Sequence, residues 1–438
     1  MLKISSARQS PSRLRSWIAK LYRDRSGSLI VTFAVATPVV LGAVGLGVES
    51  GLWYTAKRSL QTEADAAALS GAYERAKGRP TNVMAAAMRE AVRNGFVAAA
   101  PNTSTVNNPP ASGPNAGEPE AVEVLLGKQQ QPLFSGLFLG DLTISVRSVA
   151  MVQTTGTACV LALDPSMDGA LTSTGNPTVN MAGCVMAANS TSASAINMTG
   201  STTVTAQSLW TAGGYTNGGS ATINLTTPAE TNAWALDDPY ASMTVPNLSG
   251  CDHNNFSSNS TQTLNPGVFC NGFSLQSHAN IALNPGTYYI DGGNLQIQGG
   301  AKVRCNCPGP NDGVTFVMTS SISASQIGTA DIRGGADVVL SAPKTGSFAG
   351  LIFFQDPRAT NTAGDNKFNG GASMQLTGAI YSRYQTVEYT GNNDSGGANC
   401  TQIIGRHVVF TGHSTINNTG CPTAGVEPLK IVGVRVVE

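Results

Sequence analysis

The sequence predicts a mainly β exported domain, best read as a right-handed parallel β-helix, preceded by one N-terminal transmembrane α-helix and an α+β segment. Three observations predict it. An uncharged run of twenty residues, Leu29 to Val48, follows a basic leader. Charged residues make up only 12% of the 438 residues while glycines number 49, a balance suited to many short strands and tight turns. Beyond residue 156 a Gly-centred phrase recurs between apolar residues.

The leader, residues 1–27, holds seven Lys/Arg against one acid, Asp24, so it carries +6 and the remainder of the neutral chain −6. At 1.5 Å per residue the apolar run spans about 30 Å, the thickness of a bilayer's hydrocarbon core. The positive-inside bias puts the leader in the cytoplasm and everything from about residue 50 outside it. The expected span covers 28–50, with Pro38 at a position where membrane helices tolerate a kink. The run exceeds the apolar region of a signal peptide, roughly 7–15 residues, and the residues after it continue as helix. The expectation is an uncleaved, single-pass anchor in a bacterial inner membrane. The Gly47-x-x-x-Gly51 spacing fits a helix-packing face, although such spacings are common in Gly-rich spans. The acidic body shows no clustered basic face, which argues against nucleic acid as a partner.

Residues 51–100 are Ala-rich. From Trp53 to Lys77 the helix formers Ala, Leu, Gln, Glu and Lys dominate, and Trp53, Leu60, Ala64, Ala67 and Ala68 fall on one stripe. A second helix candidate covers 82–99, stopped near Asn94-Gly95. The segment Arg23–Ala72 combines Arg25-Ser-Gly27, Pro38 in mid-span, Gly51-x-Trp53-Tyr54 and Gln61-x-x-Ala-Asp65-Ala-Ala-Ala-Leu69. In that order these elements resemble the N-terminal module of TadG-like proteins of the bacterial Tad (Flp) pilus-assembly system. Further on, Cys159-Val-Leu-Ala-Leu-Asp164, Gly183-Cys184 and Leu351-Ile-Phe-Phe-Gln-Asp356 also resemble exported regions of that family. The resemblance implies a non-enzymatic component working with the inner-membrane platform and secretin channel, its partners being the membrane and other pilus-assembly or envelope proteins. Prepilins cut after Gly usually carry Glu five residues later. Here Thr32 stands there, which argues against incorporation as a pilin subunit.

Residues 101–118, rich in Pro, Asn, Ser and Gly, are expected as a linker, and 119–155 as short strands turning at Gly140-Asp141. The repeats occupy 156–438. Met198-Thr-Gly-Ser-Thr-Thr-Val204, Ile297-Gln-Gly-Gly-Ala-Lys-Val303, Ile332-Arg-Gly-Gly-Ala-Asp-Val338, Phe368-Asn-Gly-Gly-Ala-Ser-Met374 and Phe410-Thr-Gly-His-Ser-Thr-Ile416 share one form. Leu275-Gln-Ser-His-Ala-Asn-Ile281 is a variant, and Leu264-Asn-Pro-Gly267 recurs at Leu283-Asn-Pro-Gly286. Gly at a corner permits positive φ, and flanking apolar residues would bury against neighbouring copies. A jelly roll or a sandwich of hairpins is the alternative architecture.

The eight cysteines, Cys159, Cys184, Cys251, Cys270, Cys305, Cys307, Cys400 and Cys421, all lie in this repeat region. Their even number suits disulfides in an oxidising compartment. Sequence neighbours would pair Cys159 with Cys184, Cys251 with Cys270 and Cys400 with Cys421, each worth roughly 3 kcal/mol by chain entropy. Cys305-Asn-Cys307 would make a tight bridge. No Cys-x-x-Cys pair or His cluster supports a metal site, and no cofactor is implied.

Four histidines are scattered: His253 in a loop, His278 and His413 at repeat corners, His407 ahead of a strand. Because many β-helices cleave polysaccharide with Asp pairs, Asp237-Asp238 and Asp356 are candidates, although both sit beside Pro in turn-forming contexts. Asp164-Pro-Ser166-Met-Asp168 invites comparison with the Asp-x-Ser-x-Ser site of von Willebrand factor A domains, but the last Ser is replaced and that fold's alternating helices do not follow. The sequence therefore favours a structural, membrane-anchored protein without a catalytic site. Its rivals are an envelope-anchored enzyme acting on polysaccharide and an adhesin binding surface glycans through one face of the β domain.

Overall fold

The computed structural model describes residues 27–137, 140–359, 364–369, 374–389, 400–412, 414–416 and 420–438. Residues 1–26 of the basic leader, the Gly-Gly pair of the Phe368 repeat and His413 lie outside them. The chain divides into two compact units, Met1–Gln153 with Gly433–Glu438, and Thr154–Val432.

In the first unit the apolar run and the Ala-rich stripe form a single helix, α1 (Gly27–Ala76), continuous through Pro38. Leu60, Ala64, Ala67, Ala68 and Ala72 are buried along it. They pack on Val83, Ala87 and Ala91 of α2 (Val83–Arg93) and on Val122, Val124 and Leu126 of a β-sheet. Small side chains make this approach close: a Cβ at Gly71 would come to 3.0 Å from Val122 Cγ1.

The stretch expected as a linker is folded. Within it β1 (Thr103–Asn107) pairs antiparallel with β2 (Ala121–Gln130), which in turn pairs with β3 (Leu142–Ala162). The reason is polar rather than apolar. Glu123, fully buried, accepts from Asn107 Nδ2 at 2.7 Å, Ala111 N at 3.0 Å, Ser112 Oγ at 2.8 Å and Arg147 Nε at 2.6 Å. Burial opposes its charge, but these donors outweigh it and hold the carboxyl down at about 2. One carboxylate thus pins a segment whose composition carries no hydrophobic pattern.

The second unit is mainly β, and its ladders are parallel. Strands Gly267–Leu275, Gly286–Asp291, Val314–Thr319, Leu351–Gln355 and Gln375–Tyr389 pair in sequence order, each with the next. The repeats register on one another as their apolar residues require. Leu275 stands beside Ile297, Ile297 beside Ile332, Ile332 beside Phe368, and Ile281 beside Val303 beside Val338. All are buried in one continuous core. At the corners Gly334 and Gly335 hold φ of 67° and 74°, the region where a side chain is strained. Phe269, Tyr288, Phe316 and Phe353 stack through that core at centroid spacings of 5.5–5.8 Å.

The ladder order departs from simple succession. Thr401–Phe410, the last long strand of this unit, pairs on one side with Gln375–Tyr389 and on the other with the unit's first strands, through Ile403↔Val160 and Val408↔Leu171. From there the ladder continues through Thr178–Ala188 and Thr203–Thr211. The chain therefore starts in the middle of its own ladder, builds towards one end, and must return to the other end before building back.

Residues 226–252 make that return as a strap. Trp210 Nε1 donates to Trp234 O at 3.0 Å, the Asn189 side chain holds Leu236 N and O at 2.7 and 2.8 Å, and Tyr240 packs edge-on to Tyr381 at 5.3 Å. At the end of the strap Cys251 is bridged to Cys270. Under it lies a second cluster including Leu161, Val317, Phe354, Tyr381 and Ile404.

Candidate functional site

Between the strap and the strand ends lies a groove of about 730 Å³ whose lining includes Asp164, Asp238, Arg358, Arg383, Tyr384 and Arg406. Register builds it. Gln355, Ser382, Gly405 and Ala162 are successive partners across the ladder, so the residues just beyond them emerge along one rim. Arg383 and Arg406 are two of these, and Arg358 follows two positions after Asp356.

Each arginine is tied to a carboxylate. Asp164 Oδ1 accepts from Ser166 N at 3.0 Å and Met167 N at 2.8 Å, the geometry of an Asx turn. Its Oδ2 takes Arg406 Nε at 2.9 Å and lies 3.2 Å from His407 Nε2. Asp238 accepts from Tyr240 N at 3.0 Å and Tyr381 Oη at 2.9 Å, with Arg383 Nη1 at 3.5 Å. Asp356 accepts from Thr319 Oγ1 at 2.7 Å and Arg358 Nη2 at 2.6 Å. The acids are 4–10% exposed, whereas the arginines keep 33–57% of their side chains in solvent. The Arg383 guanidinium lies 5.5 Å from the Tyr384 ring centroid.

Burial would raise the Asp164 carboxyl, but the Ser166, Arg406, Met167 and His407 donors prevail and lower it to about 2. Asp356 is likewise lowered against its burial by Arg358 and Thr319. A general acid for glycosidic cleavage needs the opposite, a carboxyl held protonated near neutrality. The arrangement presents cationic forks to the groove and buries the anions beneath them.

The other residues singled out by sequence are dispersed. Asp237 is exposed beside Asp238. Asp168 accepts from the Ser192 and Ser194 hydroxyls and is not brought to Asp164's donors. His253 stacks on Phe269 at 4.5 Å, and His278 occupies a corner at φ 72°. Among the described residues no group of His, Cys, Asp and Glu is placed to hold a metal. The cysteines form Cys159–Cys184, Cys251–Cys270, Cys305–Cys307 and Cys400–Cys421. The three neighbour pairs are those expected, and the tight pair is bridged too. Sequence reasoning missed the arginines. Their signal was faint: Arg358 falls in the turn after Leu351–Gln355, while Arg383 and Arg406 lie within Gln375–Tyr389 and Thr401–Phe410, at positions that only the register aligns.

The chain is thus a mainly β protein that has, among the described residues, one helix long and apolar enough to cross a membrane, running from Ile30 to Ala76. More particularly, residues 27–76 match the model of the Tad family, the TadE/G-like family of Flp pilus assembly. The matched segment is α1 from end to end. No curated protein and no solved structure matches the chain.

Proposed function

We propose that this protein is a single-pass, membrane-anchored, non-enzymatic component of Flp pilus assembly. Leu29–Val48 is its span, the leader faces the cytoplasm, and the β unit works outside as a right-handed parallel β-helix contacting envelope or pilus components. The observation that carries the reading is the coincidence of the TadE/G-like match with the whole of α1, since the family's module supplies both the span and the stalk leaving it. Two features support the orientation: the +6 leader and four disulfides confined to the β unit, as in oxidising compartments. In-register parallel ladders with left-handed glycines at the corners support the β-helix.

A second reading concerns what the β unit touches. Three partly exposed arginines and Tyr384 along one groove favour an anionic surface glycan over an uncharged one, because guanidinium forks pair with carboxylate or phosphate. The rival polysaccharide-cleaving enzyme is disfavoured by the low carboxyls of Asp164 and Asp356. Removing the gene from its host should abolish surface Flp pili, and restoring it should return them. An Asp237→Asn chain should restore them equally. Normal piliation without the gene would overturn the proposal.

A further inference from the structure

The loop joining β2 to β3 is fastened to the end of the apolar run in α1. Glu49, 1% exposed, comes directly after that run. Its Oε1 accepts Leu133 N at 2.7 Å and its Oε2 accepts Ser135 N at 2.9 Å. One helical turn earlier the Phe134 ring lies on the bare backbone of Gly45, where a Cβ would come to 3.0 Å from Phe134 Cγ. Gly45 is three residues inside Val48, so at 1.5 Å per residue the ring sits about 4–5 Å within the apolar run. Yet Leu133 is 70% and Phe134 55% exposed. Around them on α1, Leu41, Val44, Leu46 and Val48 are exposed as well. At the base of the loop the character reverses: Gln129 Nε2 donates to Asp141 Oδ2 at 2.6 Å.

We propose that residues 131–136 form a second membrane contact, with Leu133 and Phe134 inserted among lipid acyl chains beside the anchor. This rests on the reading that α1 spans the bilayer. An exposed Leu-Phe tip held at the depth of a span, above a polar base, is the division that an interfacial segment needs. Continuity with the apolar surface of α1 makes lipid the occupant. Glu49 sets the depth: its carboxylate, costly at a membrane boundary if unpaired, receives two backbone N–H groups and clamps the loop to the helix. The first unit is then seated on the membrane surface through two attachments.

The test uses the full-length chain in nanodiscs of phosphatidylcholine and phosphatidylglycerol, with an environment-sensitive fluorophore on one engineered cysteine, the native cysteines being bridged. Phe134→Cys reports the loop, Leu133→Cys repeats the measurement, and Val39→Cys reports the span. Nitroxide-labelled lipids serve as the quencher. The result expected is quenching at all three positions, deepest at Val39, with Glu49→Ala reducing it at Phe134 and leaving Val39 unchanged. Quenching at Val39 alone would overturn the loop contact while leaving the span intact. Quenching at none of them would overturn the span itself. Loop quenching that vanishes when each disc holds a single copy would assign the surface to a second chain and overturn the lipid contact.

Discussion

At Asp164 four donors converge on one buried carboxylate, and the energetic consequence is a dependence on pH. A carboxyl lowered from 3.8 to about 2 in the folded state stabilises fully above its unfolded value and loses that contribution as pH falls through the folded one. Urea titrations should show that share, roughly 2 kcal/mol, disappearing between about pH 4 and pH 2. An Asp164→Asn chain should be less stable at pH 7 and show a shallower acid loss. Equal slopes in the two chains would remove Asp164 from the account. Ile332 tests the core in the same way. It is fully buried between Ile297 and Phe368, so Ile332→Ala should cost about 2–5 kcal/mol by equilibrium unfolding. These positions were legible in sequence to different degrees. Ile332 lay in an obvious repeat, whereas Asp164 invited only comparison with an Asp-x-Ser-x-Ser site, because its partner Arg406 is 242 residues away.

Among elements, the strap 226–252 most constrains the fold, because the ladder begins in its own middle and the chain must cross back. Tyr240 is 5% exposed against Tyr381. Tyr240→Ala should therefore cost roughly 3 kcal/mol and speed proteolytic nicking within 226–252, read by mass spectrometry of early fragments. Unchanged nicking would mean that the strap is not held by this contact. Gly334→Val should also destabilise, since a β-branched residue at φ 67° is strained. The repeated apolar-Gly phrase let the sequence place Ile297, Val303, Ile332 and Val338 towards a common core. It could not reveal that Ile403 joins Val160, because equivalent copies can stack in any order. The alternating apolar residues Trp234, Leu236 and Tyr240 were the overlooked sign that 226–252 packs on something. The supposed linker at 101–118 was illegible for a different reason: its anchor is Glu123, and hydrogen-bonding patterns have no period.

For the whole molecule, the apolar run and the TadE/G-like module were the clearest parts of the sequence, because twenty uncharged residues in a row stand out from every other segment. The groove was the least clear, since two arginines from neighbouring strands and a third from the turn after another meet only after the ladder forms. If the β unit is exported as proposed, its cysteines stay bridged in the native protein, and non-reducing mass mapping should recover Cys159–Cys184 and Cys400–Cys421 with few free thiols. As proposed above, one uncleaved N-terminal helix holds the β unit on the outer side of the inner membrane. That arrangement is tested most directly by fractionating cells and adding protease before and after the outer membrane is opened. A full-length chain should sediment with membranes, its residues 154–432 cut only when protease reaches the periplasm or cell surface. A soluble product beginning near residue 50, or a β unit protected until the inner membrane is lysed, would contradict it.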